Sequence, residues 1–218
     1  TDIDRKINEK INTDMRKLPS SDTAVAVDTA IDTAVAVDTD DIMNYFTFED
    51  KYRGTPEEVK QRQSIFLQHF KNCKNVLDMG CGRGDFLSLL KDKGIGAKGI
   101  DINNDMVLFC KKNDLDVIQI DALSYLDSLK DKSLDGVFSG QLVEHLQPNE
   151  LISLVKICHD KMIYGTYLVL ETQNPLCLSI LSKGFYIDLS HIKPIHPETL
   201  KFLLESVGFR DIHVKFFS

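Results

Sequence analysis

From Asn75 onward, short apolar runs alternate with longer stretches in which apolar residues recur every three or four positions. The short runs predict strands at 75–79, 97–101, 116–120, 135–139 and 166–172, with another at 211–217. The helical spacing predicts helices at 85–93, 105–113, 149–162 and 197–207. Gly94 and Gly208 stand where the first and last of these should stop. Upstream, Thr55-Pro56-Glu57-Glu58 reads as a helix start, with a capping Thr, Pro in the first helical position and Glu at the third, opening a helix to about Lys71. Short apolar strands separated by helices of roughly 9–15 residues imply an α/β fold, doubly wound around a mostly parallel sheet with helices on both faces.

The region before this pattern is of a different kind. Residues 1–19 place Ile3, Ile7, Ile11, Met15 and Leu18 on one helical face, predicting an amphipathic helix that packs on the domain or joins two subunits as a homo-oligomer. Residues 20–41 carry a ten-residue duplication, DTAVAVDTAI then DTAVAVDTDD. Two such short copies cannot bury a face, so the segment reads as an acidic linker, with a small hairpin as the alternative. The third part, 42–218, is the globular domain.

The whole chain has 218 residues and a net charge of −7, which at first argues against a polyanionic partner. Most of that charge belongs to the linker: six Asp and no basic residue between 20 and 41 leave the 42–218 domain at −2. The expectation of no nucleic-acid partner therefore rests on the lack of a basic run there. No run of ~18 apolar residues predicts a membrane span. Five cysteines, with no CxxC pair, point away from disulfides and structural zinc and toward a reducing cytoplasm.

The chemistry concentrates after the first strand, at Asp78-Met79-Gly80-Cys81-Gly82-Arg83-Gly84-Asp85. Alternate glycines let the backbone turn tightly and approach a ligand. A dinucleotide fingerprint would place its third glycine at Asp85, where a carboxylate repels a pyrophosphate, which disfavours a nicotinamide-dependent oxidoreductase. Asp101 closes the second strand 19 residues after Gly82, placed for ribose hydroxyls, and Asp121 ends the third. Three carboxylates around a glycine loop suit a ligand with ammonium and sulfonium charges and no phosphate, as in S-adenosylmethionine.

From Phe46 to Ser218 the sequence resembles the class I S-adenosylmethionine-dependent methyltransferases. The likeness rests on the glycine loop, on Gly99-Ile100-Asp101-Ile102-Asn103, on Ile120-Asp121-Ala122, and on Asp135–Ser139 followed by Gln141-Leu142-Val143-Glu144-His145-Leu146. Phe48-Glu49-x-x-Tyr52-Arg53-Gly54 and Phe185-Tyr186-Ile187-Asp188-x-x-His191 look like bacterial and archaeal enzymes of sugar or surface-polysaccharide biosynthesis. The resemblance implies a Rossmann-like sheet whose last strand of the usual seven is missing, so that the chain reads as truncated. It implies S-adenosylmethionine held by Arg53, Asp78, Gly80, Cys81, Gly82, Gly84, Asp101, Ile102, Asp121, Ala122 and Gln141. Arg53 would meet the methionine carboxylate or, alternatively, pair with Glu49 or Glu57.

The expected reaction moves a methyl group to a small-molecule or glycan acceptor at oxygen. A hydroxyl acceptor gains from a general base, and His145 and His191, with Asp188 and Tyr186 as companions, fall at strand C-terminal ends where substrate sits. Glu144, His145 and His191 could instead hold a metal, but neutral Gln141 is a poor fourth ligand, so catalysis without metal is expected. The alternative to an enzyme is a catalytically silent cofactor-binding subunit recruited through residues 1–19.

Overall fold

A computed structural model describes residues 45–216, without the side chain of Asp50. The helix expected at 1–19, the linker at 20–41 and the start of the domain at 42 lie outside the described residues.

The chain opens with α1 (Tyr45–Tyr52) and α2 (Pro56–Gln63), the latter continued by a 3₁₀ stretch, Ser64–His69. Thr55 caps α2 as its sequence predicts: its hydroxyl accepts from Glu58 N at 3.3 Å while Glu58 Oε2 accepts from Thr55 N at 2.9 Å. The predicted helix tightens at Ser64, whose hydroxyl donates to the Gln61 carbonyl at 2.7 Å and competes with the α-helical ladder. Then follow β1 (Val76–Met79), α3 (Asp85–Asp92), β2 (Ala97–Asp101), α4 (Asn104–Lys112), β3 (Val117–Gln119), α5 (Ala122–Ser128), β4 (Leu134–Gly140), α6 (Pro148–Lys161), β5 (Met162–Glu171) and α7 (Pro197–Val207).

The five strands pair in the order β3-β2-β1-β4-β5, all parallel. The order reverses at β1, which is buried along its whole length. Its alternation splits the core between the two faces. Leu77 and Met79 join Val137, Leu126, Leu154 and Cys158 on one side, whereas Val76 joins Phe70, Phe86, Leu90 and Phe138 on the other. A parallel sheet binds ligands beyond the strand C-termini at such a reversal point.

Four elements differ from expectation. Helices α1 and α5 were not anticipated: α1 is short and rich in aromatics, and α5 is a seven-residue turn nucleated by the Asp121 cap. Strand β5 begins at Met162 rather than 166, because a register shift between Leu134 and Gly136 and a left-handed Gly165 absorb the extra residues. The strand expected at 211–217 does not form over 211–216. Asp211 turns the chain at φ 54°, and the alternating Ile212, Val214 and Phe216 lie without a strand to pair with among the described residues.

Candidate active site

Strand β1 ends into Gly80-Cys81-Gly82-Arg83-Gly84, whose three glycines take φ of 65°, 53° and 74°. A Cβ on Gly82 would stand 2.9 Å from Arg53 Nη1 and 3.3 Å from Glu49 Oε2. Helix α1 therefore passes directly over this loop. Arg83 reaches back from the loop to fasten it, donating from Nη2 to the Gly54 carbonyl at 2.9 Å and facing buried Asp85 at 3.4 Å.

Of the two expectations for Arg53, the structure bears on the ion pair. Arg53 pairs with Glu49 at 3.1 Å, yet the pair is mostly buried and lies on the glycine loop rather than on the surface. Burial would lower the Arg53 pKa, but Glu49, Asp85 and Glu171 outweigh it and raise it, so the guanidinium stays charged.

Beneath Arg53 lies a small recess lined by Gln63, Asp78, Gly80 and Gly140 among others. Asp78 is 2% exposed, its Oδ2 has no partner, and burial pushes its carboxyl up to about 8. Gln63 Oε1 and Arg53 Nε are likewise buried and unpartnered. A buried acid, a neutral acceptor and a cationic donor left unsatisfied together suit a ligand carrying both ammonium and carboxylate.

Asp101 ends β2 and receives Gly82 N on Oδ2 and Asn103 N on Oδ1, both at 2.8 Å. Each oxygen keeps a second lone pair for a hydroxyl. Ile102 follows, 74% exposed and so available to an apolar ring face. These residues fit S-adenosylmethionine: an acid and a guanidinium for its zwitterion, a diol acceptor and an exposed apolar residue all adjoin the glycine loop.

Two expected cofactor residues are otherwise engaged. Cys81 turns its thiol into the core against α3 and α4 residues and Cys110. The Asp121 carboxylate caps α5, accepting from Leu123 N at 2.9 Å and Ser124 Oγ at 2.8 Å, which together with the Ser124 amide holds it below its usual value despite burial. Ala122 begins that helix half-buried, and Gln141 leaves β4 at φ 57°, its amide on the Glu171 carbonyl.

At the Tyr45 end of α1, the structure brings His145, Asp188 and His191 together. One nitrogen or oxygen from each lies within 4.8 Å of the others, and the imidazoles meet edge to face with centroids 4.6 Å apart. The turn Val143–His145 and the segment after 188 are stitched by Ile192 N on the Glu144 carbonyl at 2.9 Å. Asp188 Oδ1 accepts from Ser190 N and Oγ at 2.9 and 2.5 Å, and Oδ2 accepts from Tyr45 Oη at 3.0 Å. Burial would raise the Asp188 carboxyl, but these donors prevail and hold it below its usual value. Burial, with His191 alongside, lowers the His145 pKa. Tyr186 is 71% exposed and takes no part in this network.

Glu144 is not a member of this cluster. Its side chain is fully buried, its Oε2 accepts from Thr172 Oγ1 at 2.9 Å, and burial raises its pKa. The cluster, Arg53, Glu49 and Gln141 all line one cleft of about 1180 Å³.

Sequence reasoning missed Gln63 and Ser190, and it offered Glu49 only as an ion-pair partner of Arg53. The i, i+4 spacing of Tyr45, Glu49 and Arg53 marks one helical face and was the available signal. Gln63 and Ser190 carry no local signature.

A family model described as "Methionine biosynthesis protein MetW" matches residues 60–165. A structure described as a SAM dependent methyltransferase from Archaeoglobus fulgidus is 51% identical, with a TM-score of 0.78, covering 80% of this chain and 78% of that one. The PH0226 protein from Pyrococcus horikoshii shares the fold at 19% identity and a TM-score of 0.61, over 74% of this chain and 86% of that one. So does a phosphoethanolamine N-methyltransferase from Haemonchus contortus, solved with phosphomonomethylethanolamine and S-adenosylhomocysteine, at 20% identity and a TM-score of 0.58, over 71% and 38%. No curated protein matches the chain.

Proposed function

The chain belongs to the S-adenosylmethionine-dependent methyltransferases, and from that premise we propose that it methylates a hydroxyl of a small-molecule or glycan acceptor. One observation carries this reading. Helix α1 rests on the glycine loop through Glu49 and Arg53 and on the His145–Asp188–His191 cluster through Tyr45. Tyr45 and Glu49 are one helical turn apart, a rise of about 6 Å. A methyl donor at the glycine loop and an acceptor at the cluster would thus sit against adjacent turns of one helix.

When bound, S-adenosylmethionine supplies a methyl group on a sulfonium that leaves as a neutral thioether. The chain contributes orientation and proton handling. Asp78 pairs with the ammonium, Arg53 with the carboxylate, and Asp101 accepts from the ribose hydroxyls. The Gly80, Gly82 and Gly84 backbone lets the ligand approach closely, and Ile102 covers an apolar ring.

On the acceptor side, hydrogen bonding decides which nitrogens act. The Phe185 carbonyl can only accept, so His191 Nδ1, 2.6 Å away, donates to it and Nε2 keeps its lone pair. Ser190 Oγ spends its hydrogen on Asp188, so His145 Nδ1 donates to that hydroxyl at 3.0 Å and its Nε2 is free as well. Either imidazole can then take the proton that the acceptor oxygen gives up on methylation. Tyr45, Phe48 and Tyr52, which line the same cleft, offer flat apolar faces suited to the C–H side of a sugar ring. The free thiols of all five cysteines accord with a reducing compartment such as the cytoplasm. Among the described residues, no helix is long and apolar enough to cross a membrane.

The test is transfer of labelled methyl from S-adenosylmethionine into sugar nucleotides and glycans by wild type and by a His145→Ala, His191→Ala double variant. The expected outcome is O-linked label with wild type, and in the variant a loss of about 10²–10⁴-fold with binding of S-adenosylhomocysteine retained. Undiminished transfer by the variant would remove the base assignment, and no binding of S-adenosylhomocysteine by wild type would remove the whole reading.

A further inference from the structure

We propose that His145, Asp188 and His191 form a binding site for a divalent transition-metal ion of the zinc type. The structure assembles a donor set different from the one the sequence offered: Asp188 replaces Glu144, which is buried beside Thr172. Two imidazoles and one carboxylate suit Zn²⁺ and its spectroscopic substitute Co²⁺ better than Mg²⁺ or Ca²⁺, which favour oxygen alone.

Three further features match such a site. First, both Nδ1 hydrogens are spent on the Phe185 carbonyl and the Ser190 hydroxyl. That is the outer-shell arrangement that orients ligating histidines and leaves Nε2 to the ion. Second, Asp188 Oδ2, bonded once to Tyr45, retains a lone pair 3.8 Å from His191 Nε2. Third, the His191 and Asp188 side chains are only 5% and 9% exposed, yet both line the cleft. The site is therefore shielded on its protein side and open at the fourth position, where an acceptor oxygen or water would bind.

The spacing is within reach of coordination. Zinc bonds of about 2.0–2.2 Å put tetrahedral neighbours roughly 3.4 Å apart. The His191–Asp188 pair needs to close by a few tenths of an ångström from 3.8 Å. All three donor atoms lie within 4.8 Å of one another, a spread that rotation of an imidazole about its side-chain bonds can close.

Ion binding rests on these donors alone, whereas its use in catalysis rests on the methyltransferase reading above. With an ion present, the two imidazoles and Asp188 would hold it rather than act as bases, and the ion would supply Lewis acidity to a ligated acceptor hydroxyl, whose proton would pass to solvent in the open cleft.

The test is titration of chelator-stripped full-length protein with Co²⁺, followed by displacement with Zn²⁺. The expected result is one ion per chain, the visible bands of a four- or five-coordinate nitrogen–oxygen site, and an affinity at least about tenfold weaker in His191→Ala and in the isosteric Asp188→Asn. S-adenosylhomocysteine binding by both variants certifies their fold. His196→Ala, outside the cluster, should leave the titration unchanged. Equal Co²⁺ affinity in wild type and both variants, or thiolate-to-metal charge-transfer bands marking cysteine ligation, would overturn the site. Loss of S-adenosylhomocysteine binding in wild type would instead strike the methyltransferase reading, since the two sites share no ligating residue.

Discussion

Asp78 offers the sharpest test of how the cofactor recess works. Its carboxyl is 2% exposed, one oxygen has no partner, and burial carries its pKa to about 8 against the partial opposition of Arg53, with Asp101 and Asp85 adding to the rise. At pH 7 a group with that pKa is about nine-tenths protonated. An ammonium seated against Asp78 supplies the missing counter-charge, so in the complex the proton must leave. Binding of S-adenosylhomocysteine at pH 7 should therefore release about 0.9 proton from this group. The sign follows from the free protein holding the proton more tightly than the complex. Affinity rises with pH, by up to about tenfold (roughly 1.4 kcal/mol) between pH 6 and 7, and levels off above 8. Calorimetry in buffers of different ionisation enthalpy counts the protons, and Asp78→Asn gives the background from the ligand's own groups. Equal proton counts in wild type and Asp78→Asn, or an affinity that falls between pH 6 and 8, would refute the reasoning.

Other expectations concern the scaffold of the site. Glu144 is buried with its pKa raised by that burial, so the fold holds its proton more tightly than the unfolded chain does. The carboxylate then costs stability as pH rises above its unfolded value. Glu144→Gln should melt at a higher temperature than wild type at pH 8, with the difference vanishing toward pH 4. Gly84→Ala would put a Cβ 2.5 Å from Leu115 Cδ1 and 2.9 Å from Cys110 Sγ at φ 74°. The backbone alone costs about 1–2 kcal/mol, so urea unfolding should show at least that loss, together with weakened S-adenosylhomocysteine binding. Phe138 stacks on Phe86 with centroids 3.8 Å apart and is 1% exposed. Phe138→Ala should cost about 3–5 kcal/mol in the same measurement.

The sequence by itself determined the order and kind of most elements. Strand β2 and helix α7 have the bounds their patterns predict, because a short run between turn residues and a Pro-to-Gly helix frame are local signals. The glycine loop and Asp101 were legible for the same reason: tight turns and strand ends leave a mark in a few consecutive residues. Residues 211–216 show the limit, since alternation gives strand propensity but a strand needs a partner.

What only the tertiary structure decided was which distant residues meet. Tyr45 reaches Asp188 across 143 positions and Gln63 reaches Glu171 across 108, contacts that no local period encodes. The same holds for burial, and therefore for charge. The sequence offers Asp78, Glu144 and Asp188 as three similar carboxylates. The fold leaves one oxygen of the first without a partner in the recess, sets the second in the core beside Thr172, and gives the third enough donors to stay ionised between two histidines. A side chain's chemistry follows from what replaces its water, and that is fixed only when the chain has packed.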